Sequence, residues 1–397
     1  MPRTLRVVTA GVAMLSVIAV AQAAPGETEL VSPRFGPSTP YDSVIEPAVS
    51  VDGRFVSFCV GVTGSWAPND TNDASDCVVR DRVAQKTVNA TVSSAEVQGN
   101  SASWFGKLNA DGRYLVFASF ASNLVPRDTN GAEDVFVRDL TTGLTERVSV
   151  RSDGSQIPFG RFPSMSADGR MIAFNTGDQL AVRDRLTQQT RFLNVGRPGY
   201  PLISPDGGYI AVRSYSQLKV IDLATGQRDR IDRNSDEVAA NSPYSTLKAI
   251  SRGGRFVLFT SDATNLAPGD NNGYEDLFLR DRLLGTTERV NVRADGTEFL
   301  GDILDASMSH GGRFIAFAAW GGRVRDHIVL HDIFLRDRRT GSLTRVNRNS
   351  NGVFANGTSV YPALSPDGRF IAFTSDATNL SPDDQVFGSD VYVRQLR

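Results

Sequence analysis

Beyond its first two dozen residues the chain carries its apolar residues in runs of four to six. Each run is closed off by Gly, Pro, Asp or Asn, and none has the spacing of an amphipathic helix. One phrase recurs seven times: a small polar residue, two loop residues, a Gly, usually an Arg, then an apolar run. The copies begin at Ser50, Asn109, Ser166, Ser204, Ser251, Ser309 and Ser365. Asp-Gly at the turn is a hairpin signal, so each copy joins two antiparallel strands. The run after the turn is apolar at successive positions, as in Tyr114–Phe117 and Phe314–Phe317, the pattern of a strand covered on both faces. A third strand follows, as in Asp134–Asp139 or Asp276–Asp281, and a fourth, as in Thr145–Val150 or Thr287–Val292. No such unit can bury its apolar face alone, and stacking buries it against the next. Four antiparallel strands in meander order make a propeller blade, so the predicted fold is all-β: a seven-bladed β-propeller.

The copies are spaced by 38 to 59 residues, and the shortest steps predict trimmed loops between the second and third strands of blades three and four. The last copy ends after its third strand, Asp390–Arg394. Thr28–Arg34 reads like the outer strand Thr145–Arg151, so the N-terminal segment is expected to complete blade seven, with Glu29 and Val31 beside Tyr392. Closing the ring this way leaves no open end for further stacking.

The first residues change the expected location. Arg3 and Arg6, an apolar stretch from Val7 to Val20, and Ala21-Gln22-Ala23 form the pattern of an export signal with its cleavage site. The domains read as a signal peptide over 1–23 and a propeller over 24–397, in the periplasm or outside the cell. Ala24, not Cys, follows the cleavage site, which argues against a lipid anchor. No later segment is apolar enough to insert in a membrane as a helix. With 42 basic and 44 acidic residues, net charge −2, nothing marks a nucleic-acid partner. The two cysteines, Cys59 and Cys77, fall on neighbouring strands of blade one, and in an oxidising compartment a cross-strand disulfide is expected.

Five repeats place two Asp six residues apart before the third strand. In Asp128/Asn130/Asp134 and Asp270/Asn272/Asp276 an Asn stands between them. Oxygen donors at such spacing suit Ca²⁺. The competing reading is that Asp and Asn close the turns on their own backbone. His310, His327 and His331 are the three histidines, with no Cys near to complete a zinc site. No nucleophile elbow and no phosphate-cradling Gly loop is present, so no catalytic residue is assigned. The Arg-Asp pair ending most third strands belongs to the repeat and is read as turn or blade-to-blade bonding.

Function is sought where the repeats differ. Four positions before each marker, at the start of the inner strand, stand Glu46, Phe105, Phe162, Tyr200, Leu247, Asp305 and Tyr361. Meander order puts them on one rim of the central channel. Trp104, Phe105, Arg161, Phe162, Tyr200, Asp305 and Tyr361 are the candidate binding residues, and the trimmed loops are expected to notch this rim near Trp104, Arg161, Phe162 and Tyr200.

The phrase Ser365–Phe373, with the Val-Arg-Asp third strand, resembles the TolB-type β-propeller repeat, and Ser261–Asp270 leading into Glu275–Asp281 is similar to an exported bacterial variant of it. The resemblance covers the chain from Ala24 onward, and about 20 residues before the first blade leave no room for that family's preceding α/β domain. It implies a binding scaffold outside the cytoplasm. The expected function is a non-catalytic platform, monomeric, for a protein, peptide or glycan, without a cofactor apart from the Ca²⁺ alternative. The competing expectation is a channel-mouth enzyme, a glycan lyase or hydrolase or a peptidase-like enzyme, with or without a metal.

Overall fold

The computed structural model describes residues 26–32, 44–61, 67–68, 70–293, 295–325, 328–384 and 388–397. The export signal lies outside them. The described strands form seven four-stranded antiparallel sheets, each in meander order. From channel to rim, blade two runs Ser103–Leu108, Tyr114–Ser119, Asp134–Asp139 and Leu144–Arg147. Blade seven contains Ser359–Leu364, Phe370–Ser375 and Asp390–Gln395, and its outer strand is Thr28–Leu30 from the N-terminal side. Leu30 pairs with Tyr392 and Glu29 with Val393, so the expected closure is present. Among the described residues the only helical turn is the short 3₁₀ segment Arg252–Gly254.

Burial explains the doubly apolar strands. Second and third strands are almost wholly buried, and the core splits into seven clusters, one for each contact between adjacent blades. Within blades two, five, six and seven an aromatic of the second strand stacks on the residue directly across from it: Phe117 on Phe136, Phe259 on Phe278, Phe317 on Phe334, and Phe373 on Tyr392, at 5.6–5.9 Å. Such cross-strand pairs contribute roughly 0.2–1 kcal/mol each.

The turn Gly has two reasons to be Gly. Gly112 has φ +78°, and a Cβ there would lie 2.6 Å from the Phe55 ring of the preceding blade. Gly53 stands in the same relation to Phe370 across the closure. The recurrent Asp of the third strand accepts hydrogen bonds from the turn Arg, as Arg113 Nη2 to Asp139 at 2.7 Å and Arg255 Nη2 to Asp281 at 2.7 Å. The Arg before it reaches back to the preceding blade's outer segment: Arg138 donates to the Ser93 carbonyl and Arg280 to the Asn234 carbonyl. Both halves of the Arg-Asp pair are therefore structural, one within the blade and one between blades.

At the turn end of the channel, backbone bonds pass from blade to blade. Val51 donates to Ala110, Ala110 to Ala167, and Ala167 to Pro205; Arg252 donates to His310, and His310 to Pro366. The two missing steps begin at Pro205 and Pro366, which have no N–H to give. Cys59 and Cys77 are bonded directly across two strands, and Gly106 of blade two donates its N–H to Cys59 Sγ at 3.3 Å.

Candidate functional site at the channel mouth

The inner strands are edge strands, and five of them carry an irregularity at their channel-mouth end, between Ile45 and Ala48, Trp104 and Lys107, Arg161 and Ser164, Leu247 and Ala249, and Val360 and Ala363. In four of these the residue inside the bulge is left-handed: Glu46 (φ 54°), Phe105 (58°), Phe162 (54°) and Tyr361 (51°). Bulky side chains seldom occupy this region, and each such residue costs on the order of 1–3 kcal/mol. What the four share is their position at the channel mouth. Pro47, Pro163 and Pro362 directly follow three of them, as befits bulges, where strand prolines are tolerated.

The channel encloses about 800 Å³ and is lined by Glu46, Phe105, Phe162, Tyr200, Leu247, Asp305 and Tyr361 at this end, and by Ala110, Ala167, Pro205, His310 and Pro366 at the other. That volume is within the range of small-ligand sites. Blades two to four give an aromatic arc. Phe162 and Tyr200 lie 3.7 Å apart at 31°, and Phe105 meets Phe162 edge-on at 5.0 Å and Tyr200 at 6.3 Å. Tyr200 remains 57% exposed, so its ring is available to a ligand. The Arg161 guanidinium sits 4.6 Å from the Phe162 centroid and 5.4 Å from that of Phe105. It is held 3.1 Å from Glu133, whose other oxygen accepts the Trp104 indole N–H at 2.7 Å. Glu133 is fully buried, and burial pushes its carboxyl up despite these two neighbours.

Blades six, seven and one give a polar arc: Asp305, Tyr361 and Glu46. Lys248 Nζ lies 3.4 Å from Asp305 and Lys107 Nζ 3.5 Å from Glu46, so each carboxylate has its own ammonium. Burial raises the Tyr361 hydroxyl, and the charges of Asp305 and Glu46 raise it further. Burial likewise raises Tyr200, opposed by Arg161. At the turn end, burial and the nearby Arg252 lower His310 to about 4.

The rim is uneven, as the loop lengths predicted. Blade three passes from Asn175 to Leu180 and blade four from Ser214 to Gln217. Blade six instead extends its second and third strands to twelve and ten residues, Phe314–Arg325 and Ile328–Asp337. The low side of the rim therefore stands beside the aromatic arc.

Of the sequence candidates, Phe105, Phe162, Tyr200, Asp305 and Tyr361 converge on the channel mouth, and Arg161 lies over two of the rings. Trp104 does not line the channel. It points to Glu133 and packs edge-on to Phe120 at 5.8 Å, which makes it a support for Arg161. Lys107, Lys248 and Glu133 were not singled out from sequence. Lysines beside acids carry no signature before the ring is closed, whereas Glu133 directly precedes the recurrent Asp134 and departs from most blades there.

The acidic loops are second-to-third-strand connections of the same face and do not line the channel. In blade five Asp270, Asp276 and Glu298 bring carboxylate oxygens within 4.8 Å of one another. The Arg289 guanidinium lies among them, donating to Glu298 and to Asp276 at 2.9 Å, and 3.7 Å from Asp270. Burial and the charge of Asp276, opposed by Arg289, leave Asp270 at about 6. In blade two Arg147 takes the same place, 3.2 Å from Asp128 and 3.6 Å from Asp134. In blade one the neutral Gln98 amide donates to both Asp70 and Asp76. Asn130 turns its amide N–H toward Asp134 and the Ile157 carbonyl, and Asn272 donates to the Phe299 carbonyl while accepting from Tyr274 N–H. These acids thus have protein donors, and a cation entering blade two or five would have to displace an arginine. Asp326 and His327 lie outside the described residues, and His331, expected at the start of a strand, lies inside Ile328–Asp337 with its backbone N–H toward Thr358 Oγ1, because the strand extends further than its repeat pattern indicates.

No protein-family model matches the chain, and no curated protein sequence does. Solved structures with the same fold do. An oligogalacturonate lyase in complex with manganese is 13% identical, with a TM-score of 0.55, over 94% of this chain and 99% of that one. An oligogalacturonate lyase from Vibrio parahaemolyticus gives 13% and 0.55 over 94% and 96%. The β-propeller domain of the Trilobed protease from Pyrococcus furiosus, which has an open velcro topology, gives 9% and 0.55 over 90% and 98%. At these identities the likeness is one of fold: the chain is a β-propeller whose own velcro is closed by Thr28–Leu30.

Proposed function

We propose that this protein is an exported ligand-binding platform, with the notched channel mouth as its recognition surface for a glycan, peptide or protein. The observation that carries this reading is the left-handed bulge repeated in four blades. Four left-handed residues, Glu46, Phe105, Phe162 and Tyr361, are gathered at one opening and line the channel there, a placement that a ligand site accounts for. The resemblance of the repeats to the TolB type and the N-terminal export pattern support a place in the periplasm or outside the cell. The test is a pull-down from envelope extract with the wild-type protein and a Phe162→Ala/Tyr200→Ala variant of unchanged thermal midpoint. A partner retained by the wild type and lost by the variant is expected. Equal retention by both refutes the placement.

A second reading is a channel-mouth enzyme acting on saccharide or peptide. It draws on the Tyr361 hydroxyl, set in the field of two carboxylates, as a proton donor. Product formation that Tyr361→Phe abolishes, with ligand affinity unchanged, would establish it.

A further inference from the structure

Resting on the platform reading, we infer that the mouth takes the end of a neutral saccharide chain, lying across the aromatic arc from the blade three and four notch with its terminal unit at Asp305, Tyr361 and Glu46. Three observations lead there. The mouth is divided: apolar ring faces occupy one arc, oxygen acceptors the opposite one, and a sugar unit presents both C–H faces and hydroxyls. Tyr200 offers an exposed aromatic face at the low side of the rim, against which the C–H face of a sugar ring can pack.

The second observation is charge pairing. Lys248 and Lys107 stand at 3.4 and 3.5 Å from the two carboxylates, and Glu133 stands against Arg161. The mouth is rich in hydrogen-bonding groups: each carboxylate has its own cation and needs no metal, and Arg213, bonded to the Tyr215 and Pro243 carbonyls, leaves one positive charge in excess. Hydroxyl groups, which donate to carboxylates and accept from ammonium groups, satisfy both members of each pair.

The third is the unequal rim. The chain can leave over the short loops of blades three and four, but on the far side the long hairpin of blade six stands in its path. At the other end of the channel backbone bonds link five of the seven adjacent blade pairs. Among the described residues the low exit is the one over blades three and four, and a mouth with one low exit favours a terminus over the middle of a long chain.

The test is a glycan array carrying linear neutral hexasaccharides (gluco-, xylo-, manno- and chito-series) tethered through either end, hexagalacturonate, and a peptide panel. Affinities of the purified protein are then measured by calorimetry. The expected result is a neutral oligosaccharide that binds when tethered through one end and not the other. Its affinity should fall about two- to tenfold in Tyr200→Ala, be retained in Tyr200→Phe, and change little between 50 and 500 mM salt. Binding only to hexagalacturonate, with steep salt dependence, overturns the inference. Equal binding through both tethers overturns the end-on placement. Peptide binding that Tyr200→Ala removes overturns the saccharide class yet leaves the platform standing. Silence across the array overturns the inference, while the envelope pull-down judges the platform separately.

Discussion

A single turn residue shows how far the fold constrains chemistry. Gly112 needs a left-handed backbone and empty space against Phe55, while Gly131, at φ +63°, has open space where its Cβ would be. Gly131→Ala should cost about 1–2 kcal/mol from conformation alone. Gly112→Ala should cost clearly more, because the Phe55 ring must also move. Urea midpoints of the two variants check this, and equal losses would contradict it. The Arg-Asp pairs make a pH prediction. Burial alone would raise Asp139, but hydrogen bonds from Arg113 and from Thr141 and Thr142 outweigh it and hold the carboxyl at about 2. Hydrogen bonds from Arg313 hold Asp337 at about 2 as well. Between an ordinary carboxylate value and these, the folded state binds fewer protons than the unfolded one. Stability that is present above about pH 4 is therefore lost as pH falls toward 2. An Asp139→Asn/Asp337→Asn variant should have a lower thermal midpoint at neutral pH and a shallower fall from pH 4 to 2. Asp270, held at about 6, has the opposite sign, and its contribution declines as pH rises from 4 to 6.

At the scale of elements, the strands were legible because their pattern is local. An apolar run after an Asp-Gly turn names a buried strand without knowledge of its neighbours, and the rim notch followed from loop lengths alone. The bulges were not legible as such: a proline inside a short apolar run suits a plain edge strand as well as a bulge. Nor was Glu133, since its contacts with Trp104 and Arg161 join residues 29 and 28 positions away. The calcium alternative shows the same limit. Asp270 and Asp276 look like cation ligands until Arg289, from the next strand, is seen between them. Local pairing did serve for Cys59 and Cys77, which span 18 positions. A loop of that size corresponds to roughly 3 kcal/mol. Cys59→Ser/Cys77→Ser should lower stability by about that amount in chemical denaturation, and an unchanged midpoint would show that the bridge does not constrain blade one.

For the whole molecule, closure is the condition on which the mouth depends. Tyr361 and Glu46 are neighbours only because blade seven meets blade one, and blade seven is completed by Thr28–Leu30. Leu30→Pro, or removal of residues through 32, leaves Asp390–Gln395 as an open, apolar edge. The expected outcome is a lower thermal midpoint and self-association in light scattering. A monomer of unchanged midpoint would mean that the ring closes without this strand.

The most direct test of the channel mouth as the recognition surface is hydrogen exchange of the protein with and without its captured ligand. Slowed exchange confined to the inner strands at Ser103–Leu108, Arg161–Met165 and Ser359–Leu364, with the acidic loops around Asp128 and Asp270 unaffected, is the predicted result. Protection at those loops or on the outer strands, with the inner strands unchanged, would contradict it.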